Sequence, residues 1–436
     1  MSKLAILGGE PLRRDPFPAW PVWDRSEEQA LLEVLHSGKW WRFSYGSGVE
    51  LKEPESGDRS RVARFQEEFA RHHDAKFGIA CANGTAAIEI LLKALGIGPG
   101  DEVIVPAYTF IATATSVLQV NAVPIFVDID PETYNIDPAR VEEAITPRTR
   151  AIIPVHFAGQ AADMDALLAI ARKHKLFLVE DAAHAHGAEW KGKKLGALGD
   201  GGTFSFQASK NMTAGEGGII LTNSANVAAL CESYLWAGRQ VGRPWYEHHR
   251  LGWNYRLTEF QGAILLQQLE RLEEQNARRA ENADYLTREV SGIPGLRPLK
   301  ADPRATLRSH HLYMLRYAAQ EVGGLPRDRF VQALVAEGIP CMGGYSHPLY
   351  KNPMFLNQDF YPKGCPITCG HYGQTIDYAA FAEKCPVSER ACASEAIWME
   401  HRLLLGTRDD MDDIVAAIEK VKAHAADLLH VGTAHV

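Results

Sequence analysis

From residue 62 onward the chain alternates short apolar runs with amphipathic stretches. The pattern predicts a helix over 62–73, a strand at Phe77–Cys81, a helix over 85–95 and a strand at Val103–Val105. A helical stretch over 111–120, a strand at Val123–Val127 and a helix over 138–145 follow. Ala151–Val155, a helix over 163–174 and Leu176–Val179 continue the series. Thr203–Phe206 and Gly218–Leu221 read as further strands, and 225–236 as a helix. Short strands that alternate with helices imply an α/β fold, with a mostly parallel sheet covered by helices on both faces. In such sheets ligands and chemistry gather just beyond the carboxyl ends of the strands.

Outside this region the pattern changes. Residues 258–290 form one long helical stretch, charged from Glu270 to Arg288, and Gly292, Pro294 and Pro298 mark a boundary after it. Beyond lie strands near 311–317, a helix over 326–337 and a last helix over 409–428. Between them 346–380, rich in Pro, Gly, Tyr and Asn, reads as a long irregular insertion. The first 25 residues carry Pro11, Pro16, Pro18, Pro21 and two tryptophans, which suits an extended arm that packs on something. A helix over 26–37 leads to a loop, 38–60, with four aromatics. That loop reads equally as a cover for a site and as an ordinary packed loop. The expected organisation is an N-terminal arm (1–25), a large domain (26–290) and a smaller C-terminal α/β domain (291–436).

Composition narrows the function classes. The chain has 436 residues, 46% hydrophobic and 23% charged, with net charge -8. Bulk charge of this sign attracts neither nucleic acid nor an anionic membrane. No apolar run reaches the roughly 18 residues of a membrane span, and no signal-like segment opens the chain. With seven cysteines, an odd number, the expectation is a cytoplasmic protein with reduced thiols. Cys365 and Cys369, with His371 nearby, resemble half a metal site. The second half is missing, so no metal is expected.

Three places carry chemistry. Asn83-Gly84-Thr85 follows a strand and opens a helix, where free N–H groups and the positive end of the helix dipole meet. A phosphate fits there, and so does plain capping by Asn83 or Thr85. The lysine of a Walker loop and the glycines of a dinucleotide fingerprint are absent. Asp181 ends an apolar strand in "LFLVED". A buried carboxylate needs a cation or several donors: a metal, a protonated ring nitrogen such as a pyridinium, or a helix terminus. Ser205 and Lys210 follow the strand Thr203–Phe206 in "TFSFQASKNMTAGEGG". Small neighbours leave room for a flat ring, and an amine shielded from water is easier to deprotonate and use as a nucleophile. The alternative is an exposed lysine on a turn.

The set resembles the DegT/StrS family of pyridoxal-phosphate sugar and cyclitol aminotransferases, with the aspartate-aminotransferase-like (fold type I) architecture. The resemblance runs through "NGTAAIEILLKALGIGPGDEVIVPAYTFIATA", "DIDPETYNIDP", "AIIPVHFAG", "VEDAAHAHGA", "FSFQASKNMTAGEGG" and "NYRLTEFQGAILLQQL". It implies pyridoxal 5'-phosphate as cofactor, Lys210 as the imine-forming lysine and Asp181 as the pyridinium partner. Gly84, Thr85 and Ser205 match phosphate contacts, and Phe110 the aromatic stacked on the ring. Asn254 matches an asparagine offered to the phosphate across a homodimer interface. His184 stands near the ring hydroxyl where most members carry glutamine. Lys210 is present, whereas dehydratase members replace it with histidine.

Within the family the chain is similar to glutamine:scyllo-inosose aminotransferases and to 3-amino-5-hydroxybenzoate synthases, with nucleotide-keto-sugar enzymes a more distant match. The implied reaction is ping-pong transfer of an amino group from glutamine or glutamate to a cyclic ketone. Trp41, Arg42 and Tyr345 are candidates for substrate contact; packing alone also accounts for these aromatics.

Overall fold

The computed structural model describes residues 2–42, 59–368 and 370–429. The aromatic-bearing loop 38–60, whether cover or packed loop, lies mostly outside them, as does Cys369. Seven strands form the main sheet: β1 (Phe77–Cys81), β2 (Glu102–Pro106), β3 (Val123–Val127), β4 (Thr149–Ile152), β5 (Phe177–Asp181), β8 (Gly201–Ser205) and β9 (Gly218–Thr222). A two-residue hairpin, β6 (Glu189–Trp190) with β7 (Lys193–Lys194), lies between β5 and β8. The order across the main sheet is β1-β9-β8-β5-β4-β2-β3. All pairings are parallel except those of β9, which runs against both β8 and β1. The α/β class read from the alternation is therefore present, with one reversed strand that periodicity does not reveal. β9 follows the turn after β8 directly, with no crossover helix, and a short connection can only return antiparallel.

Alternate residues of each strand feed two cores. Val103 and Val105 pack on one face and Ile104 on the other; Ile220 opposes Ile219 and Leu221 in the same way. One face is covered by helices Gly84–Ala94, Ala112–Gln119 and Ala225–Leu235. The other is covered by Arg61–His72, Met164–His174 and the first half of Glu259–Val290. That long helix starts at a capping box, Thr258 with Gln261. Its second half buries Ala283, Leu286 and Val290 in a separate core under a three-stranded antiparallel sheet. The sheet comprises β10 (Leu296–Pro298), β11 (Leu312–Tyr317) and β12 (Ala396–Glu400), backed by helices Arg327–Ala336 and Arg408–Ala423.

Two segments pack away from their chain neighbours. The N-terminal stretch lays Leu4 and Phe17 into the smaller core. Buried Glu337 accepts hydrogen bonds there from Ala5 N (2.8 Å) and Leu12 N (2.9 Å) and pairs with Lys420. Residues 349–385 return to the large sheet, where Tyr350, Phe355, Tyr378 and Phe381 surround Phe126. This insertion is irregular, as its composition suggests, but an aromatic cluster anchors it.

Candidate active site

The carboxyl ends of β1, β5 and β8 open onto one cavity of about 1170 Å³. Gly84, Thr85, Phe110, Asp181, His184, Ser205, Lys210 and Tyr345 all line it.

At the end of β1, the Asn83 side chain caps the next helix by accepting from Ala86 N at 2.8 Å. The amides of Gly84 and Thr85 precede the first intrahelical bonds, so they remain for a ligand. Gly84 lies against Ser205: a Cβ at Gly84 would sit 2.7 Å from that of Ser205. Only glycine lets the helix start approach the end of β8 this closely. Asn83 therefore serves as the helix cap, which leaves the Gly84 and Thr85 amides open.

Asp181 closes β5 and is buried. It accepts from Thr113 Oγ1 (2.8 Å) and Ala183 N (3.2 Å). Burial raises its pKa, and the two donors and Lys210 only partly offset this. Lys210 lies in the tight turn after β8, where its N–H reaches Gln207 O at 2.9 Å. Thr213 and Ala214 fold the turn back onto Phe206 O. Burial lowers the lysine pKa to about 8, against the opposing pull of Asp181. About a tenth of the amine is then neutral at pH 7, the form that can act as a nucleophile.

The opposite wall comes from the smaller sheet and the chain after Ile339. The register pairs Leu312 with Glu400, which sets His311 and His401 side by side at one end of β11 and β12. Met342 pairs with Trp398 and carries Tyr345 to it, the two rings meeting edge-on at 4.7 Å. Trp398 Nε1 donates to Tyr108 OH at 3.0 Å. His184 stacks on His311 with ring centroids 4.2 Å apart. Arg402 lines the same cavity, donating to Glu400 (2.8 Å) and to Pro18 O (3.2 Å). Thr113, His311, Trp398, His401 and Arg402 were not singled out from sequence. Thr113 had a local signal, three residues past Phe110 in the helix after β2. The others depend on strand register.

Trp41, Arg42 and Asn254 do not line this cavity. Their partners lie elsewhere. Trp41 bridges to Thr258 with its ring under the Arg256 guanidinium, Arg42 pairs with Glu232 at 2.5 Å, and exposed Asn254 bridges to Trp236. Among the described residues, no group of three His, Cys, Asp or Glu side chains is placed to hold a metal.

The profile of the DegT/DnrJ/EryC1/StrS aminotransferase family matches residues 55–384. A Streptoalloteichus tenebrarius protein with the provisional name L-glutamine:3-amino-2,3-dideoxy-scyllo-inosose aminotransferase is 42% identical, covering 97% of this chain and 98% of its own. The L-glutamine:2-deoxy-scyllo-inosose aminotransferase of the same organism is 40% identical over 98% and 99%. The crystal structure of 3-amino-5-hydroxybenzoic acid synthase superposes with a TM-score of 0.82 at 37% identity, covering 94% of this chain and all of that one.

Proposed function

This chain belongs to the DegT/DnrJ/EryC1/StrS aminotransferase family, and from that premise we propose that it moves an amino group from glutamine to a polyhydroxylated cyclic ketone of the inosose class, with pyridoxal phosphate as cofactor. The enzyme is an aminotransferase. The observation that carries the finer reading is the convergence of Lys210, Asp181 and the Gly84–Ser205 cradle on one cavity, together with the inosose substrates in the names of full-length relatives.

The residues suit the cofactor. The cradle would be filled by any Cβ at Gly84. Asp181 has only neutral hydrogen-bond donors, leaving its charge to a cationic ring nitrogen. When bound, the cofactor draws electrons from the substrate carbon that carries nitrogen. Gly84, Thr85 and Ser205 would hold its phosphate, and Asp181 would keep its ring nitrogen protonated. Phe110 would lie beside its ring, and His184 would donate to its ring hydroxyl. Lys210 would hold the cofactor and, as a free amine, take the proton from the donor's α carbon. In the second half of the ping-pong cycle it delivers a proton to the former ketone carbon.

Asn254 acts on the cavity of a second copy in a homodimer. The enzyme works in the cytoplasm.

The test is single-turnover consumption of the aminated cofactor form by scyllo-inosose, 2-deoxy-scyllo-inosose, a keto-sugar nucleotide and the ketone precursor of 3-amino-5-hydroxybenzoate. Fastest turnover of an inosose supports the reading; fastest turnover of either of the last two overturns it.

A further inference from the structure

Two carbonyls just before Lys210 are held from outside its turn. Trp20 Nε1 donates to Ala208 O at 2.9 Å, a bond that joins residues 188 positions apart. A carbonyl can only accept, so His401 donates Nε2–H to the next one, Ser209 O, at 3.0 Å. The amides of the same two peptide groups are bonded from within the turn: Ser209 N to Gln207 Oε1 and Lys210 N to Gln207 O, each at 2.9 Å. A peptide group is planar, so bonds at its oxygen and at its nitrogen fix its orientation. Both peptide groups before Lys210 are held in this way. After it, the buried Asn211 side chain donates to Ser309 O at 2.6 Å.

The proline-rich arm keeps Trp20 in place. Phe17 is buried in the smaller core, and Pro18 O accepts from Arg402 Nη1 at 3.2 Å. On the other side, Val22 O accepts from Gln268 Nε2 on the long helix at 2.8 Å. Asp24 then caps the helix Arg25–Ser37 through Ser26 N at 2.7 Å. Between these anchors Pro18 and Pro21 restrict the backbone on either side of Trp20. The indole meets the His401 ring edge-on at 4.5 Å, and the buried Arg279 guanidinium lies 5.5 Å from the indole centre. Trp20 is only half-buried, so filling a core does not account for its place. Its one polar atom goes to the lysine turn.

We propose that Trp20 is a positioning residue for Lys210: the N-terminal arm carries it across the molecule to lock a peptide group beside the lysine, so that the amine keeps its place through both half-reactions. The inference rests on Lys210 as the proton-transferring amine. A lysine side chain is long, and a displacement of about 1 Å at a reacting group can cost about 10²-fold. Fixing the backbone that carries it removes one source of such displacement.

The apo-protein gives the first readouts. Amide hydrogen exchange across residues 207–214 is expected to quicken by about two- to tenfold in Trp20→Phe, the worth of one neutral hydrogen bond, with β5 and β11 unchanged. The same gain is expected when benzothienylalanine, a tryptophan isostere without the N–H, stands at position 20. In competitive acetylation, Lys210 of both variants should titrate above the native value of about 8, because a loosened turn lets the amine reach water. In the loaded enzyme, removal of the α proton of glutamine should slow by about tenfold or more, with KM for glutamine unchanged. Native exchange and titration with benzothienylalanine overturn the proposal, whatever phenylalanine does. So does exchange that quickens throughout the chain, which would make Trp20 a packing residue, and so does a loosened turn with proton removal at the native rate. If the native enzyme deaminates no glutamine, the functional reading fails, and the apo-protein readouts still decide the grip on the turn.

Discussion

The two walls of the cavity are built differently. The wall built on the seven-stranded sheet presents Gly84, Asp181, Ser205 and Lys210, each at or within five residues of the carboxyl end of a strand. Its geometry comes from backbone: a helix start, two strand ends and a tight turn. The opposite wall presents His311, Tyr345, Trp398 and His401, aromatic and imidazole rings packed edge to face and in stacks. The first wall carries a buried carboxylate and a buried amine, the groups to which the proposed function gives the charge and proton transfer. The second offers shape and neutral hydrogen-bonding atoms, which is where discrimination between ketones belongs. If this division is real, first-wall substitutions depress both half-reactions alike, and second-wall substitutions affect the acceptor half.

Lys210→Ala should have the largest effect. Loss of a positioned general base costs about 10²–10⁴-fold, in glutamine deamination and ketone amination equally, as stopped-flow single turnovers would show. A variant that loses only one half-reaction breaks the division at its strongest point. The same lysine sets a pH dependence. Its pKa is lowered to about 8, and only the neutral amine attacks, so cofactor uptake by the apo-protein should rise as pH increases through about 8 and level above it. A midpoint near the ordinary lysine value would mean that burial is not felt.

Asp181→Asn comes next. It removes the buried carboxylate that, on the proposed reading, would steady a cationic ring, and we expect a loss of about 10²–10³-fold in both half-reactions. Thr113→Val, which removes the 2.8 Å donor to Asp181, should cost about tenfold, the worth of one hydrogen bond to a charged group. An Asp181→Asn loss confined to the ketone step would place Asp181 on the discriminating wall instead.

The walls also differ in how far sequence reveals them. Gly84, Asp181, Ser205 and Lys210 are legible because each follows an apolar run that predicts its strand, so their convergence needs only the rule that sites lie at strand ends. The alternation likewise exposed the parallel strands but not reversed β9, whose direction depends on the Lys210 turn. His311 and His401 meet through the antiparallel register of β11 and β12, strands separated by the whole insertion. No local pattern encodes that register. Tyr345 is a candidate for substrate contact from sequence, but its place against Trp398 depends on the Met342 bridge and on Gly344. A Cβ at Gly344 would come within 2.6 Å of the indole.

Gly84→Ala lies between the walls in expected size. The new Cβ forces the helix start away from Ser205. Overpacking of this kind costs about 1–3 kcal/mol, to be read as a lower melting temperature and as roughly tenfold or greater weakening of phosphate-bearing cofactor, measured by equilibrium dialysis. Both half-reactions should recover together at saturating cofactor. Recovery of only one would mean that Gly84 shapes the substrate site as well as the cradle.

The smallest effect expected is that of Tyr345→Phe, and it sharpens the comparison most. The Tyr345 ring packs on Trp398 at 4.7 Å and on Tyr108 at 5.4 Å, so packing alone explains an aromatic there. Its hydroxyl has no partner among the described residues and is not sealed from the cavity the residue lines. Burial and the charge of Asp181 push its pKa up, so it stays protonated as a donor. Removing one neutral hydrogen bond to a ligand costs about 0.5–1.5 kcal/mol, which is about two- to tenfold in KM for the ketone. Glutamine deamination and the melting temperature should stay as they are, because the ring remains. Tyr345→Ala removes the ring and should lower the melting temperature as well. If phenylalanine behaves like tyrosine and only alanine fails, Tyr345 is a packing residue, and its hydroxyl takes no part in discriminating ketones.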